Sequence, residues 1–180
     1  MKILGGQYKG LHIDTSKITS YRPTQARVRK SIFDILTPFT YSNILDLYSG
    51  SGILGFESAS RGAESITFVE IDNKAINLLN KNKNKFDDKT FHIVKKRSLA
   101  YLNNIDEYYD LIFADPPYGN EDYFELINIC IEKLAKNGKL IVEMRNNDFS
   151  FAEAIIKYYG DTKLIFYTKK WSELFIQVHL

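Results

Sequence analysis

The chain has 180 residues, of which 44% are hydrophobic and 26% charged, so it can bury one compact α/β core but not several. No stretch approaches the roughly 18 consecutive apolar residues of a membrane helix, and the first residues do not resemble a secretory signal, so we expect a cytoplasmic protein with no membrane partner. The formal net charge is only +2, but residues 1–30 carry seven basic side chains and one acidic one, which concentrates positive charge near the amino terminus.

The amino-terminal segment is predicted to form a short hairpin followed by a helix. Residues 2–4 and 11–13 suit two short strands, and residues 24–36 place Val28 and Ile32 on one helical face. The local excess of positive charge favours a segment that binds a polyanion, because phosphate contacts supply most of the non-specific affinity for nucleic acid. A solvated amphipathic arm would explain the same pattern.

A glycine-rich turn follows residues 44–48, which are predicted to form a short buried strand. Gly50, Gly52 and Gly55 lie between this strand and the next helix, a pattern typical of nucleotide-binding units. The spacing alone is weak evidence, because nicotinamide and flavin enzymes share it. Asp46, at the carboxyl end of the strand, disfavours a pyrophosphate and favours a ligand with cationic groups and no phosphate, such as S-adenosylmethionine.

A second carboxylate follows at the end of the next predicted strand. Glu70 lies about 20 residues beyond the glycine turn, the spacing expected of an acceptor for ribose hydroxyls. Asp72, in contrast, is predicted to be a helix N-cap. A solvated strand end is the alternative interpretation of Glu70.

The sequence Asp115-Pro116-Pro117-Tyr118 directly follows the apolar run 111–114 and is the most informative motif in the chain. The amino nitrogen of a base attacks a methyl donor poorly until hydrogen bonds draw its lone pair out of the ring. The Asp115 carboxylate and the Pro116 carbonyl can accept the two N–H hydrogens, the prolines hold both acceptors rigidly, and Tyr118 offers a face for an unstacked base. A proline turn that closes a strand would also produce these four residues.

From residue 44 onwards predicted strands and helices alternate, which indicates a parallel sheet with helices on both faces. The single Cys130 falls in an apolar helix and is expected to be a buried thiol, and three scattered histidines give no metal-ligand spacing, so no metal site is expected. The last two strands are predicted to pair antiparallel at one edge. Strands are predicted near 44–48, 65–70, 90–94, 109–114, 139–144, 162–167 and 174–179, with helices in the gaps.

Together these motifs resemble the RsmD-type ribosomal RNA methyltransferases, and the resemblance extends over nearly the whole chain. The two amino-terminal motifs are specific to that group, whereas the glycine turn and the proline motif are shared with many amino-methyltransferases. The resemblance rests on residues 5–10, 22–24, 27–29, 46–52, 60–63, Glu70 and 115–118.

The resemblance implies the Rossmann-like class I methyltransferase fold, with seven strands in the order 3-2-1-4-5-7-6. It implies a monomer with a basic RNA-binding extension, residues 1–40, and an S-adenosylmethionine-dependent methyltransferase domain, residues 41–180. The implied reaction moves a methyl group from S-adenosylmethionine to N2 of guanine 966 in 16S rRNA, either as free RNA or in an assembled small ribosomal subunit.

The resemblance also implies three sets of site residues. Asp115, Pro116, Pro117 and Tyr118 would be catalytic. Lys9, Arg22, Thr24, Arg27 and Arg29 would contact RNA. The cofactor would be bound by Asp46, Tyr48, Ser49, Gly50, Gly52, Glu70, Ile71, Arg97 and Ser98.

The chain departs from the family pattern after the third strand, and other functions stay open. Arg97-Ser98 stands where the family has an acid or amide beside alanine to meet the adenine amino group, and arginine cannot accept a hydrogen bond. An adenine-N6 methyltransferase of DNA would share the two central motifs. A nicotinamide oxidoreductase would explain the glycines but not Asp46 or the proline turn. A non-catalytic RNA-binding module for ribosome assembly is the third alternative.

Overall fold

The computed structural model describes residues 1–15, 26–117, 123–146, 151 and 153–170. The helices in these ranges are α1 Ala26–Ile35, α2 Ile53–Ser60, α3 Asn73–Lys83, α4 Ser98–Leu102 and α5 Tyr123–Glu132. The strands are β1 Asn43–Leu47, β2 Ser65–Glu70, β3 Thr90–Lys95, β4 Tyr109–Ala114, β5 Leu134–Arg145, β6 Ile155–Tyr159 and β7 Thr162–Thr168. Among these helices, none combines the length and the apolar character that crossing a membrane requires.

The strands form one sheet in the order β3-β2-β1-β4-β5-β7-β6. Strands β1 to β5 pair in parallel, and β7 pairs antiparallel with both β5 and β6. This arrangement confirms the predicted mostly parallel sheet and the strand order that the resemblance implied. The direction in which the strands are added reverses between β1 and β4, and ligands of such sheets bind at the carboxyl ends of the strands beside that reversal.

Helices cover both faces of the sheet. One face packs against the amino-terminal segment, α1, α2 and α3 through side chains such as Phe33, Phe56 and Leu79. The other face packs against α4 and α5 through side chains such as Leu102 and Cys130. Cys130 is buried, as expected, and its burial raises the pKa of the thiol. Because both faces are covered, the central strands are buried along almost their whole length and are mostly apolar.

The amino-terminal segment is attached directly to α2. Lys2 and His12 form an isolated antiparallel bridge, which confirms the predicted pairing of residues 2–4 with residues 11–13. The fully buried carboxylate of Glu57 in α2 accepts the backbone N–H of Leu4 at 2.7 Å and that of Gly5 at 2.9 Å. The hairpin is therefore held by the same helix that begins at the glycine turn.

The carboxyl-terminal part of the sheet differs from the prediction. A helix was expected between residues 144 and 162, but the chain forms β6 there. The strand predicted at 162–167 is confirmed as β7. Because β6 precedes it in the chain, it is the seventh strand and not the sixth, and it lies between β5 and β6 in the sheet. The two strands are joined by Gly160, with φ of 61°, and Asp161, a two-residue connection that favours a hairpin. The strand predicted at 174–179 lies outside the described residues.

Candidate functional site

Three of the predicted site residues lie at the carboxyl edge of the sheet. Asp46 is near the end of β1, Glu70 ends β2, and Asp115 directly follows β4. Alternate side chains of a strand lie on the same face, so each carboxylate lies on the face of the residue two positions before it. Those three residues all pack on the side of α1, α2 and α3: Ile44, Phe68 and Phe113.

The turn between β1 and α2 has an unusual backbone. Tyr48, Gly50 and Gly52 have φ values of 55°, 53° and 75°, all in the left-handed region. This conformation costs a residue with a side chain roughly 1–3 kcal/mol, and such strain is typical of functional sites. The buried Ser49 hydroxyl donates to backbone carbonyl oxygens of β1 and β2, at 2.5 Å and 3.2 Å. The neighbouring strands therefore hold the turn in its strained shape.

Asp46 is a buried residue of β1 whose carboxylate contacts the start of α2. Its side chain is only 3% exposed, and one oxygen accepts the backbone N–H of Gly55 at 3.0 Å. That N–H belongs to the first turn of the helix, where amides have no intrahelical acceptor. Burial raises the pKa of Asp46 to about 8, an effect that the charge of Glu70 reinforces and the Gly55 hydrogen bond opposes. The carboxylate is thus held in place at a high cost in hydration.

Glu70 is fixed by three backbone amides. One oxygen accepts the N–H of Gly50 at 2.8 Å, and the other accepts those of Ile71 at 2.6 Å and Asp72 at 2.9 Å. Asp72 in turn caps α3 by accepting the N–H of Ala75 at 2.9 Å, which confirms the predicted N-cap. Glu70 therefore joins the end of β2 to the glycine turn beside Asp46.

The proline motif lies across the strand-order reversal from the glycine turn. Pro116 is buried and Pro117 is exposed, so the two residues turn the chain out of the sheet. Burial raises the pKa of Asp115 well above its ordinary value of 3.8, and the negative charges of Glu143 and Asp46 raise it further. Asp46 is thus close enough to Asp115 for its charge to oppose the ionisation of Asp115.

Glu143 is a fourth carboxylate at this edge, and the sequence interpretation missed it. Strands β4 and β5 are parallel, and Ala114 of β4 is paired with Val142 of β5. The residues that follow this pair, Asp115 and Glu143, are therefore also neighbours. Glu143 is half-buried and lies on the face of Ile141, which is the face that carries Asp115. A glutamate inside an apolar strand gives no motif, but the pairing register brings it to the site.

Three further residues of the predicted cofactor site also lie at this edge. Ile71, which follows β2, is 49% exposed, an unusual position for a large apolar side chain. Arg97 follows β3 and is exposed, whereas Ser98 is the first residue of α4 and is buried. Their predicted contacts with the cofactor stay predictions. Three other predicted site residues lie outside the described residues: Arg22, Thr24 and Tyr118.

The predicted RNA-binding residues separate into exposed and buried ones. Lys9 in the hairpin and Arg27 in α1 are exposed, as an RNA contact requires. Arg29 is only 2% exposed, and its guanidinium donates to the backbone carbonyl of Lys2 at 2.9 Å. Burial lowers the pKa of Arg29. The prediction that Arg29 contacts RNA is therefore wrong for this structure, where Arg29 instead holds the amino-terminal segment against α1.

The chemistry of the site fits a cationic ligand next to an amine. Asp46 and Glu70 place two carboxyl groups at the glycine turn, where a pyrophosphate would be repelled. A bound cation would favour the ionised form of Asp46, whose pKa burial raises, and the low dielectric there strengthens the attraction. On the neighbouring strand, Asp115 and Pro116 offer acceptors to a group with N–H donors. The two halves of the site are adjacent because β1 and β4 are paired strands.

The chain is similar to bacterial proteins over most of its length. It is 32% identical over 150 residues to the protein named Ribosomal RNA small subunit methyltransferase D of Buchnera aphidicola subsp. Baizongia pistaciae, a match that covers 81% of this chain and 76% of that protein. It is 31% identical over 158 residues to Putative rRNA methyltransferase YlbH of Bacillus subtilis, covering 79% of this chain and 82% of that protein.

A solved structure has the same fold. The putative methyltransferase yhhF from Escherichia coli superimposes with a TM-score of 0.82 at 27% identity, covering 94% of this chain and 98% of that one. The family described as Conserved hypothetical protein 95 matches residues 1–168. The chain therefore belongs to that family, the RsmD-type S-adenosylmethionine-dependent methyltransferases.

Proposed function

We propose that this protein transfers a methyl group from S-adenosylmethionine to the exocyclic N2 of guanine 966 in 16S rRNA. The proposal rests on one observation. The buried carboxylates of Asp46 and Glu70 at the glycine turn lie beside the two hydrogen-bond acceptors that Asp115 and Pro116 offer at the end of the neighbouring strand. The names of the relatives support a ribosomal RNA substrate. Guanine N2 as the target rests on the resemblance and on the chemistry of Asp115 and Pro116.

In this proposal Asp46 and Glu70 hold the cofactor. Bound there, S-adenosylmethionine would supply an electrophilic methyl group on a sulfonium. The Asp46 carboxylate would face the positive charge of the methionine portion, and Glu70 would accept from ribose hydroxyls. Three backbone amides already fix the position of Glu70, so it needs little reorganisation to do this.

Asp115 and Pro116 orient the amine. The carboxylate and the carbonyl accept the two N–H hydrogens of N2, which draws its lone pair towards the methyl carbon. Because two prolines restrict the backbone, both acceptors stay in place as the reaction proceeds. The N–H hydrogens become more acidic as the nitrogen is alkylated, and Asp115 is then the nearest group to receive the proton. Asp115 can take up this proton only when it is ionised, and its raised pKa makes it a stronger base than an ordinary carboxylate.

The basic amino-terminal segment would hold the RNA. We assign this role to residues 1–40 and the catalytic role to residues 41–180. The exposed side chains of Lys9 and Arg27 support this division.

The test is methyl transfer followed by mapping. The purified chain is incubated with labelled S-adenosylmethionine and with free 16S rRNA, small ribosomal subunits that lack the modification, or duplex DNA. We expect label at N2 of one guanine of the ribosomal RNA. Label on adenine N6 of DNA would reject the proposed substrate, and the absence of cofactor binding in calorimetry would reject the proposed reaction.

A further inference from the structure

A guanine that leaves its helix brings more than its amino group into the site. Its N1–H lies beside N2 on the Watson–Crick edge and loses its pairing partner when the base is unstacked. A buried donor without an acceptor loses its hydrogen bond to water and gains none in return. In the proposed mechanism Asp115 and Pro116 are both occupied by N2, so N1–H needs a third acceptor in the same pocket.

The structure provides a carboxylate next to Asp115. The register of β4 and β5 makes Asp115 and Glu143 neighbours across the two strands. Neighbouring strands are about 4.8 Å apart, which is within reach of both side chains. Both residues lie on the face of the sheet that carries Asp46 and Glu70. The effect of the Glu143 charge on the pKa of Asp115 agrees with this proximity.

The spacing of Asp115 and Glu143 suits two adjacent hydrogen-bond donors of one base. The Watson–Crick edge of guanine presents N1–H and N2–H side by side, two donors in a row. Adenine instead presents an amino group beside N1, whose lone pair a carboxylate would repel. Two adjacent carboxylates therefore match guanine and disfavour adenine.

We propose that Glu143 accepts the N1–H of the target guanine beside Asp115 and thereby selects guanine over bases that lack this hydrogen. The inference rests on the proposed function and assigns a specificity-determining residue to the same site. It also accounts for an acidic side chain within the otherwise apolar run Leu140 to Met144.

The test compares two bases and two proteins. 16S rRNA is prepared by ligation with either guanine or 2-aminopurine at the target, in the free or assembled form that the wild type methylates. 2-Aminopurine keeps the amino group but has a lone pair at N1. We expect kcat/KM of the wild type to fall by about 100-fold or more on 2-aminopurine, because a site built for an N–H rejects an analogue without it.

Glu143→Gln should reverse part of this preference. The amide can donate to N1 of 2-aminopurine, so the ratio of the two kcat/KM values should shift by about 10-fold or more towards the analogue. Glu132→Gln, an exposed change at the end of α5, is the matched control and should leave the ratio unchanged. Calorimetry with S-adenosylmethionine and urea unfolding check that each variant is folded.

The outcomes separate the two hypotheses. If the wild type methylates guanine and 2-aminopurine equally well, the role of Glu143 is wrong, whatever the variant does. An unchanged ratio in a folded Glu143→Gln protein also rejects the role, while the proposed function stands. If the wild type does not methylate guanine in either RNA form, the proposed function fails, and this inference fails with it.

Discussion

Replacing Asp46 by asparagine should make the protein more stable while weakening cofactor binding. The side chain keeps its shape and can still accept the Gly55 N–H, which lies 3.0 Å from the carboxylate. It loses the negative charge that burial makes costly. The substitution therefore separates the charge of Asp46 from its structural hydrogen bond.

The size of the effect follows from the pKa of Asp46. The folded protein raises this pKa from 3.8 to about 8, so between these values the folded state keeps a proton that the unfolded chain has released. Stability must therefore fall as pH rises through this window, by about 1.4 kcal/mol per pH unit. This amounts to about 3 kcal/mol between pH 5 and 7. Asparagine does not titrate, so the advantage of Asp46→Asn should grow by that amount over the same interval.

Urea unfolding at pH 5 and pH 7 measures this directly. Asp34→Asn, in the exposed part of α1, controls for the removal of one carboxylate. Calorimetry at pH 7 should show weaker binding of S-adenosylmethionine by Asp46→Asn than by the control. If wild type and Asp46→Asn lose stability equally between pH 5 and 7, the pKa of Asp46 is not raised in the folded protein. Our explanation of the charges around Asp46 and Glu70 is then wrong.

Three other changes test separate parts of the site. Asp115→Ala should lower turnover by about 100-fold or more while cofactor affinity, measured by calorimetry, stays within a few-fold. Gly52→Ala should lower the free energy of unfolding in urea by about 1–3 kcal/mol, because its Cβ would lie 2.5 Å from Leu79 Cδ2. Gly10→Ala is the control, because Gly10 also has a positive φ, 89°, but its added Cβ would meet no atom within 4 Å. This control measures the cost of the backbone conformation without the clash. Arg27→Glu should raise the KM for RNA and reduce its dependence on salt, and unchanged RNA kinetics would argue against the basic segment as the RNA-binding surface.

The first strands could be predicted because each is a short apolar run that ends at a polar or glycine-rich turn. β1, β2 and β4 begin and end within one residue of the prediction. β6 was missed because it is a short edge strand without a buried residue, and Lys157 interrupts its apolar residues Ile-Ile and Tyr-Tyr. Its β-branched and aromatic residues and the Gly160-Asp161 connection were the signals available.

The site was predictable where a residue's role follows from its place in the chain. Asp46 and Glu70 could be found by their distance from the glycines, and Asp115 by the prolines after it. Glu143 could not, because only the register of two strands distant in sequence makes it a neighbour of Asp115. Arg29 was misjudged by counting charge along a segment, although its spacing from Ile32, Phe33 and Leu36 places it on the buried face of α1.

The four carboxylates at one edge explain why this part of the fold should depend on its ligands. Asp46 and Glu70 are buried, Asp115 and Glu143 are half-buried, and the negative charges of Glu70 and Glu143 oppose the ionisation of Asp46 and Asp115 respectively. Bringing like charges together where they are poorly hydrated costs stability, and a local conflict of this kind is typical of functional sites. A sulfonium, an ammonium and the N–H donors of guanine would offset this repulsion. S-adenosylmethionine should therefore stabilise the fold more as the pH rises through the pKa of Asp46, about 8, because the ionised carboxylate gains most from a bound cation.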